Sequence, residues 1–151
     1  RGLEAQRILG RAFETRQVHK RYTAVVAGAL ANPLPDNGWN TIALPITVDW
    51  PNRPKSKVDF DIGKPSHTRW RCKPGATPTG ATRVELQPIT GRTHQLRLHM
   101  MAIGHAMLGD ALYASAEVCA RAPRLLLHAR QLKLQHPLTQ EWLSFETAVP
   151  F

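Results

Sequence analysis

Residues 22–27 read YTAVVA, a short β-branched, apolar run closed by Gly28. Such a run reads as a buried strand, and a buried strand commits the chain to a sheet. Segments 39–44, 58–62, 67–72 and 81–86 have strand character as well, with the loop KPGATPTG joining the last two. Helical spacing recurs in two places. Near the start, Ala5, Ile8, Leu9, Ala12 and Phe13 oppose Arg1, Glu4, Arg7, Arg11 and Glu14. After Gly91, residues Leu96, His99, Met100 and Ile103 line one side of a helix that stops at Gly104. The prolines and the Asn-Gly pair of segment 32–38 predict a loop. Segment 45–57, with three prolines beside Arg53, Lys55 and Lys57, predicts an extended exposed arm. Alternation at Leu132 and Leu134, a turn at 137–140 and the run 142–147 predict a closing hairpin. The pattern is α+β with a largely antiparallel sheet, and 151 residues suit one domain.

Charge narrows the partner. Lys and Arg number 20 against 11 Asp and Glu, a formal net charge of +9, which favours a polyanion and nucleic acid first. With neither an 18-residue apolar run nor a basic amphipathic helix with an aromatic face, a membrane is the poorer candidate. Cys72 and Cys119 lack a C-x-x-C spacing, which argues against a disulfide framework or a zinc site and fits a reducing cytoplasm. The first 13 residues have no apolar signal core, and a start at Arg1 leads us to expect residues upstream. There is no P-loop and no G-x-G-x-x-G at a strand-to-helix turn, so the motifs of phosphoryl transfer and dinucleotide redox chemistry are missing.

The chemistry-bearing side chains gather in segment 87–113. Arg92 and Arg97 flank a helix start, where they could hold an anion or stand as solvated charges on a helix face. His94, His99 and His105 invite a metal reading. A five-residue step from His94 to His99 turns away from a shared helix face, however, so structural histidines are the better reading. Tyr22 begins its strand and can fill the core or offer a stacking face to a base. Asp36, Asp49, Asp59 and Asp61 lie in loops or beside strands, in no context that marks a nucleophile.

Segment 87–113, QPITGRTHQLRLHMMAIGHAMLGDALY, closely resembles the third signature motif of the RluA-type pseudouridine synthases. HKRYTAVVAG at 19–28 resembles the second, DWPNRPK and GKP within 44–68 resemble the branch that modifies both large-subunit ribosomal RNA and transfer RNA, and the similarity runs on through PRLLLHA. Ala106 stands where the family's GHP segment has proline. The family's His-Arg-Leu-Asp segment, which carries its nucleophilic aspartate and precedes Thr-Ser-Gly, does not occur in this sequence.

The resemblance implies a pseudouridine-synthase-like sheet with flanking helices, and residues 1–151 as the C-terminal portion of a single catalytic domain. It implies uridine isomerisation in structured RNA, by a cytoplasmic monomer without cofactor or metal. Tyr22 would stack on the flipped base and exchange a proton. Arg97 would pair with the catalytic aspartate and keep it ionised. Leu96 would line the pocket, Arg92, Arg53, Lys55 and Lys57 would hold RNA, and Asp110 would be structural. The rival readings are a noncatalytic RNA-binding module on the same fold and, more remotely, a metal-dependent nuclease. If residues 53–57 touch phosphates, neutralising Arg53, Lys55 and Lys57 together weakens RNA binding whatever the sequence and flattens its dependence on salt. An unchanged slope of log affinity against log salt would remove this segment from the interface.

Overall fold

The fold is arranged around the strand that YTAVVA announces. The computed structural model describes residues 2–15, 17–32 and 38–151, so Arg1 and Asp36 lie outside the described residues. In chain order the elements are α1 (Leu3–Glu14), β1 (His19–Ala27), β2 (Asn40–Ala43), β3 (Ile46–Val48), a 3-10 turn (Trp50–Asn52), β4 (Ser56–Val58), β5 (His67–Cys72), β6 (Ala81–Pro88), α2 (Gln95–Ala102), α3 (Ala116–Cys119), β7 (Leu127–Gln135) and β8 (Trp142–Glu146). Six strands form one sheet in the order β2-β5-β6-β1-β7-β8, and each neighbouring pair is antiparallel. No helix among the described residues is long and apolar enough to cross a membrane.

Strand alternation sends Ala24 and Val26 of β1, Val84 and Leu86 of β6, Ile42 of β2 and Trp70 of β5 to one face. There they meet Leu96 and Met100 of α2, with Met107 beyond it. Each such side chain contributes about 1.5–3 kcal/mol by leaving water. On the opposite face Glu85 is almost completely buried and is surrounded by cations: Arg71 at 3.0 Å, Lys73 at 3.4 Å and Arg21 at 3.4 Å. Burial pushes the Glu85 carboxyl upward, but the hydrogen bond and charge of Arg71, with Lys73 and Arg21, outweigh it and hold the group below its ordinary 4.5.

A buried polar network locks α2 against the sheet. Gln95 Nε2 donates to the His67 carbonyl at 2.9 Å and to Thr68 Oγ1 at 3.0 Å, while Gln95 Oε1 accepts from the Thr90 hydroxyl at 2.6 Å. With Gln95 donating to it, Thr68 Oγ1 gives its own hydrogen to His99 Nδ1 at 2.8 Å, and His99 Nε2 donates to the Leu44 carbonyl at 2.9 Å. His99 is therefore a neutral ring with its hydrogen on Nε2. Burial pushes it below 6.5, reinforced by His67 and opposed by the Leu44 bond.

The structure departs from the sequence pattern in three places. The supposed extended arm 45–57 is instead a two-stranded hairpin, in which β3 pairs with β4. Its prolines bound the pairing instead of stretching the chain: Pro45 precedes β3, and Pro51 and Pro54 shape the connection. The strand expected over 58–62 stops at Val58, because Asp59 Oδ1 accepts the N–H groups of Asp61 at 2.9 Å and Ile62 at 3.1 Å and folds a turn. The short helix α3 has too few residues to show a period, although Ser115 caps it through the Val118 N–H.

Gly109 makes the segment before α3 possible. It has φ +77°, and a Cβ there would run into the Arg124 carbonyl. Gly109→Ala should destabilise the fold by about 2 kcal/mol or more. Gly10 in α1 has open space around it, so Gly10→Ala should be neutral or stabilise by up to about 1 kcal/mol. Chemical denaturation of the two variants checks the contrast, and equal effects would contradict it.

Candidate active site

The β1 strand carries Lys20 and Tyr22 on the same face, and the turn from β6 into α2 brings Thr90 to Arg97 up against them. Between them lies a cavity of about 550 Å³, closed on another side by Phe13 and Glu14 of α1 and by Leu127. Beside Tyr22 the ladder between β1 and β7 slips: Arg21 pairs with Gln131 but Tyr22 with Ala129. A bulge of this kind adds local twist and re-aims the neighbouring side chain. Tyr22 packs against the apolar cluster and is half-buried, and burial pushes its phenol above 10.0. It is therefore a neutral phenol near pH 7.

Four residues singled out from sequence, Tyr22, Arg92, Leu96 and Arg97, line this one cavity. Leu96 is buried at its floor with the sheet core. The Arg92 guanidinium donates to the Pro65 carbonyl at 3.1 Å, which anchors it at the rim. Arg53, Lys55 and Lys57 are not among the lining residues. They lie on the β3–β4 hairpin and its turn, where the Arg53 guanidinium stacks 5.0 Å from the exposed Trp50 ring and Lys57 sits 3.8 Å from Asp59.

Arg97 has a partner within these residues that the sequence reading did not name. The structure supplies a carboxylate thirteen residues downstream. Arg97 Nη2 donates to Asp110 Oδ1 at 2.6 Å and Nε to Asp110 Oδ2 at 3.1 Å, a two-pronged fork that leaves Nη1 as the donor not committed to Asp110. Asp110 is fully buried, and its Oδ1 also accepts the N–H groups of Leu112 at 3.0 Å and Tyr113 at 3.1 Å. Burial pushes the Asp110 carboxyl up, but the Arg97 hydrogen bond, the two backbone N–H groups and the Arg97 charge prevail and hold it below 3.8. A carboxylate from elsewhere would meet an arginine already aimed and anchored.

The three histidines have separate partners. His94 precedes α2 in the left-handed region, φ 55°, and its Nδ1 lies 2.8 Å from the Tyr113 hydroxyl. His99 belongs to the buried network, and His105 Nδ1 lies 2.8 Å from the Ala27 carbonyl. Among the described residues no group of three or more His, Cys, Asp or Glu is arranged to hold a metal ion. Lys20 and Tyr113 were missed at the sequence level. Lys20 could have been found, since it stands two residues before Tyr22 and so shares its face; its ammonium sits 5.1 Å from the Phe13 ring. Tyr113 closes the GHAMLGDALY stretch that resembles the family's motif, and that position in the motif is the signal that could have found it.

The family model described as RNA pseudouridylate synthase matches residues 1–102. The chain belongs to the RNA pseudouridylate synthase family. It is 48% identical to a dual-specificity RNA pseudouridine synthase RluA from Pasteurella multocida and 47% identical to that of Escherichia coli K12, over 97% of this chain in both cases. It spans 64% of the length of these curated relatives. Among solved structures it resembles human RNA pseudouridylate synthase domain containing 1, with a TM-score of 0.80 and 30% identity over 99% of this chain and 62% of that one. Human domain containing 4 follows with a TM-score of 0.71 and 26% identity over 99% and 64%. In this pseudouridylate synthase family member the cavity is thus built from the segments that carry the resemblance.

The Arg97–Asp110 pair makes stability depend on pH in a definite direction. Since the folded-state pKa of Asp110 lies below 3.8, its contribution is complete above that pH and is lost as pH falls through the folded value. At pH 7 Asp110→Asn should cost about 2 kcal/mol, because it strips a partly buried guanidinium of its counter-charge. The gap between variant and wild type should close in acid, as read by urea denaturation at pH 7 and below pH 3.8. A gap of constant size would show that the charge of Asp110 is not what matters.

Proposed function

We propose that these residues form the C-terminal portion of the catalytic domain of an RNA pseudouridine synthase, an isomerase acting on uridine in structured ribosomal RNA, transfer RNA or both. The observation that carries the reading is the convergence of Tyr22, Leu96 and Arg97 on one cavity in a member of this family. Substrate and product contain the same atoms, so no oxidant or phosphoryl donor is required. The bond from ribose C1′ to N1 breaks, the uracil turns, C1′ joins C5, and the C5 proton is lost while N1 gains one.

The attacking carboxylate would come from the aspartate segment of the family pattern, which these residues lack. Arg97, braced by Asp110, keeps that carboxylate ionised through its remaining donor edge. Tyr22 offers its ring to the flipped base. As a neutral phenol it can act as a base for the C5 proton only once its own proton has moved on, so stacking is its first role. The basic hairpin residues Arg53, Lys55 and Lys57 hold phosphates outside the cavity. A monomeric protein fits this reading, and a reducing cytoplasm is in keeping with the free thiols of Cys72 and Cys119.

The test is tritium release from 5-tritiated uridine in RNA transcripts by the full-length protein that contains this chain. Tyr22→Phe should slow release by about 100-fold or more while RNA affinity stays within a factor of about two. Arg97→Lys, which keeps the charge and loses the fork, should also lose activity. Full turnover by Tyr22→Phe would remove its hydroxyl from the mechanism. Tight RNA binding without tritium release by the unsubstituted protein would favour the noncatalytic binding module instead.

A further inference from the structure

The hydroxyl of Tyr113 is shared by β4 and the start of α2, two elements that also pack against each other. It accepts the N–H of Ser56, the first residue of β4 and the one between Lys55 and Lys57, at 2.8 Å, and it lies 2.8 Å from Nδ1 of His94 at the start of α2. A phenol has one hydrogen. With Ser56 donating to the oxygen, that hydrogen is free to go to His94 Nδ1, an arrangement in which His94 is a neutral ring protonated on Nε2. The same tyrosine meets Arg97 directly through its ring and indirectly through Asp110. Its ring lies 5.3 Å from the Arg97 guanidinium, and its backbone N–H donates to Asp110 Oδ1, the oxygen that Arg97 Nη2 also uses. The hairpin, the left-handed residue that opens α2 and the Arg97–Asp110 fork therefore meet at one side chain.

We propose that Tyr113 is a positioning residue that couples the seating of the β3–β4 hairpin on RNA to the aim of Arg97 in the cavity. The inference rests on the synthase reading above and deepens it. When phosphates draw on Lys55 and Lys57, Ser56 between them is held to the Tyr113 oxygen, and the Tyr113 ring and N–H hold the guanidinium and its carboxylate in register. Without the hydroxyl, Ser56 N–H and His94 Nδ1 lose their common partner. The hairpin can then bind RNA without ordering the arginine. Burial and the nearby Arg97 charge push His94 below 6.5, against the pull of Asp110, which agrees with a neutral ring that accepts from the Tyr113 hydroxyl. Tyr113, Arg97 and Asp110 are the groups around His94 whose charge or proton the network must accommodate.

The experiment is a double-mutant cycle in the full-length enzyme, comparing Tyr113→Phe, Lys55→Gln with Lys57→Gln, and all three together. RNA dissociation constants and single-turnover rates of tritium release are measured for each. Tyr113→Phe should reduce the single-turnover rate by about 10-fold while RNA affinity changes by less than about two-fold, because the deleted bonds act on orientation more than on charge. In the Phe background, neutralising the lysines should weaken RNA binding as before but lower the saturating rate no further. Independent, multiplicative effects on that rate, or an unchanged rate for Tyr113→Phe, would overturn the inference while leaving the synthase reading intact. Absence of tritium release by the unsubstituted enzyme would instead sink the synthase reading. Should Tyr113→Phe fold poorly, the imidazole nitrogen shifts of labelled His94 in the unsubstituted enzyme decide the geometry. An unprotonated Nδ1 at pH 7 supports the shared hydroxyl, and a protonated Nδ1 contradicts it.

Discussion

The fully buried carboxylate of Asp110 organises the working end of this molecule. One oxygen collects a guanidinium nitrogen and two backbone N–H groups, and the other takes a second guanidinium nitrogen. An isolated carboxylate could not remain ionised at such a depth. Four donors make it stable there, and in return it fixes the orientation of Arg97 on α2 and the path of the chain through Leu112 and Tyr113. The tyrosine reaches on to the β3–β4 hairpin, so a single buried charge holds together Arg97, the helix that carries it and a basic hairpin outside the cavity.

The sheet supplies the other wall. β1 pairs with β6 on one side and β7 on the other, and its inward residues are sealed beneath α2. Tyr22 stands where that packed surface ends and the ladder with β7 slips. Its inner side contacts the core and its outer side faces the cavity. A stacking platform needs this arrangement, because a ring that wobbles cannot hold a base at a fixed height. The buried Gln95–Thr68–His99 network does the corresponding work for α2, adding directional bonds to the apolar contacts of Leu96 and Met100.

Where local chemistry decides structure, the sequence was legible. β5 falls on residues 67–72 as expected, and α1, β1, β6 and α2 lie within a few residues of their predicted positions. Apolar periodicity and glycine stops act over one or two turns and need no partner. The hairpin at 46–58 was misread because proline counts do not say whether the prolines fall inside a ladder or at its ends. The strand expected over 58–62 gave way to a side chain, Asp59, that competes for backbone N–H groups. Of the site, Tyr22, Arg92, Leu96 and Arg97 were legible through motif resemblance, and Lys20 could have been read from strand alternation.

By itself the sequence determined where α1, β1, β5, β6 and α2 lie, the sign of the net charge and the family to which its motifs belong, since all three are properties of residue type and short spacing. The partner of Arg97, the meeting of Ser56 with Tyr113 across fifty-seven positions and the placement of the basic hairpin outside the cavity were decided by tertiary structure alone. Hydrogen bonds and ion pairs form wherever packing brings donor and acceptor within about 3 Å, and separation along the chain carries no record of that distance.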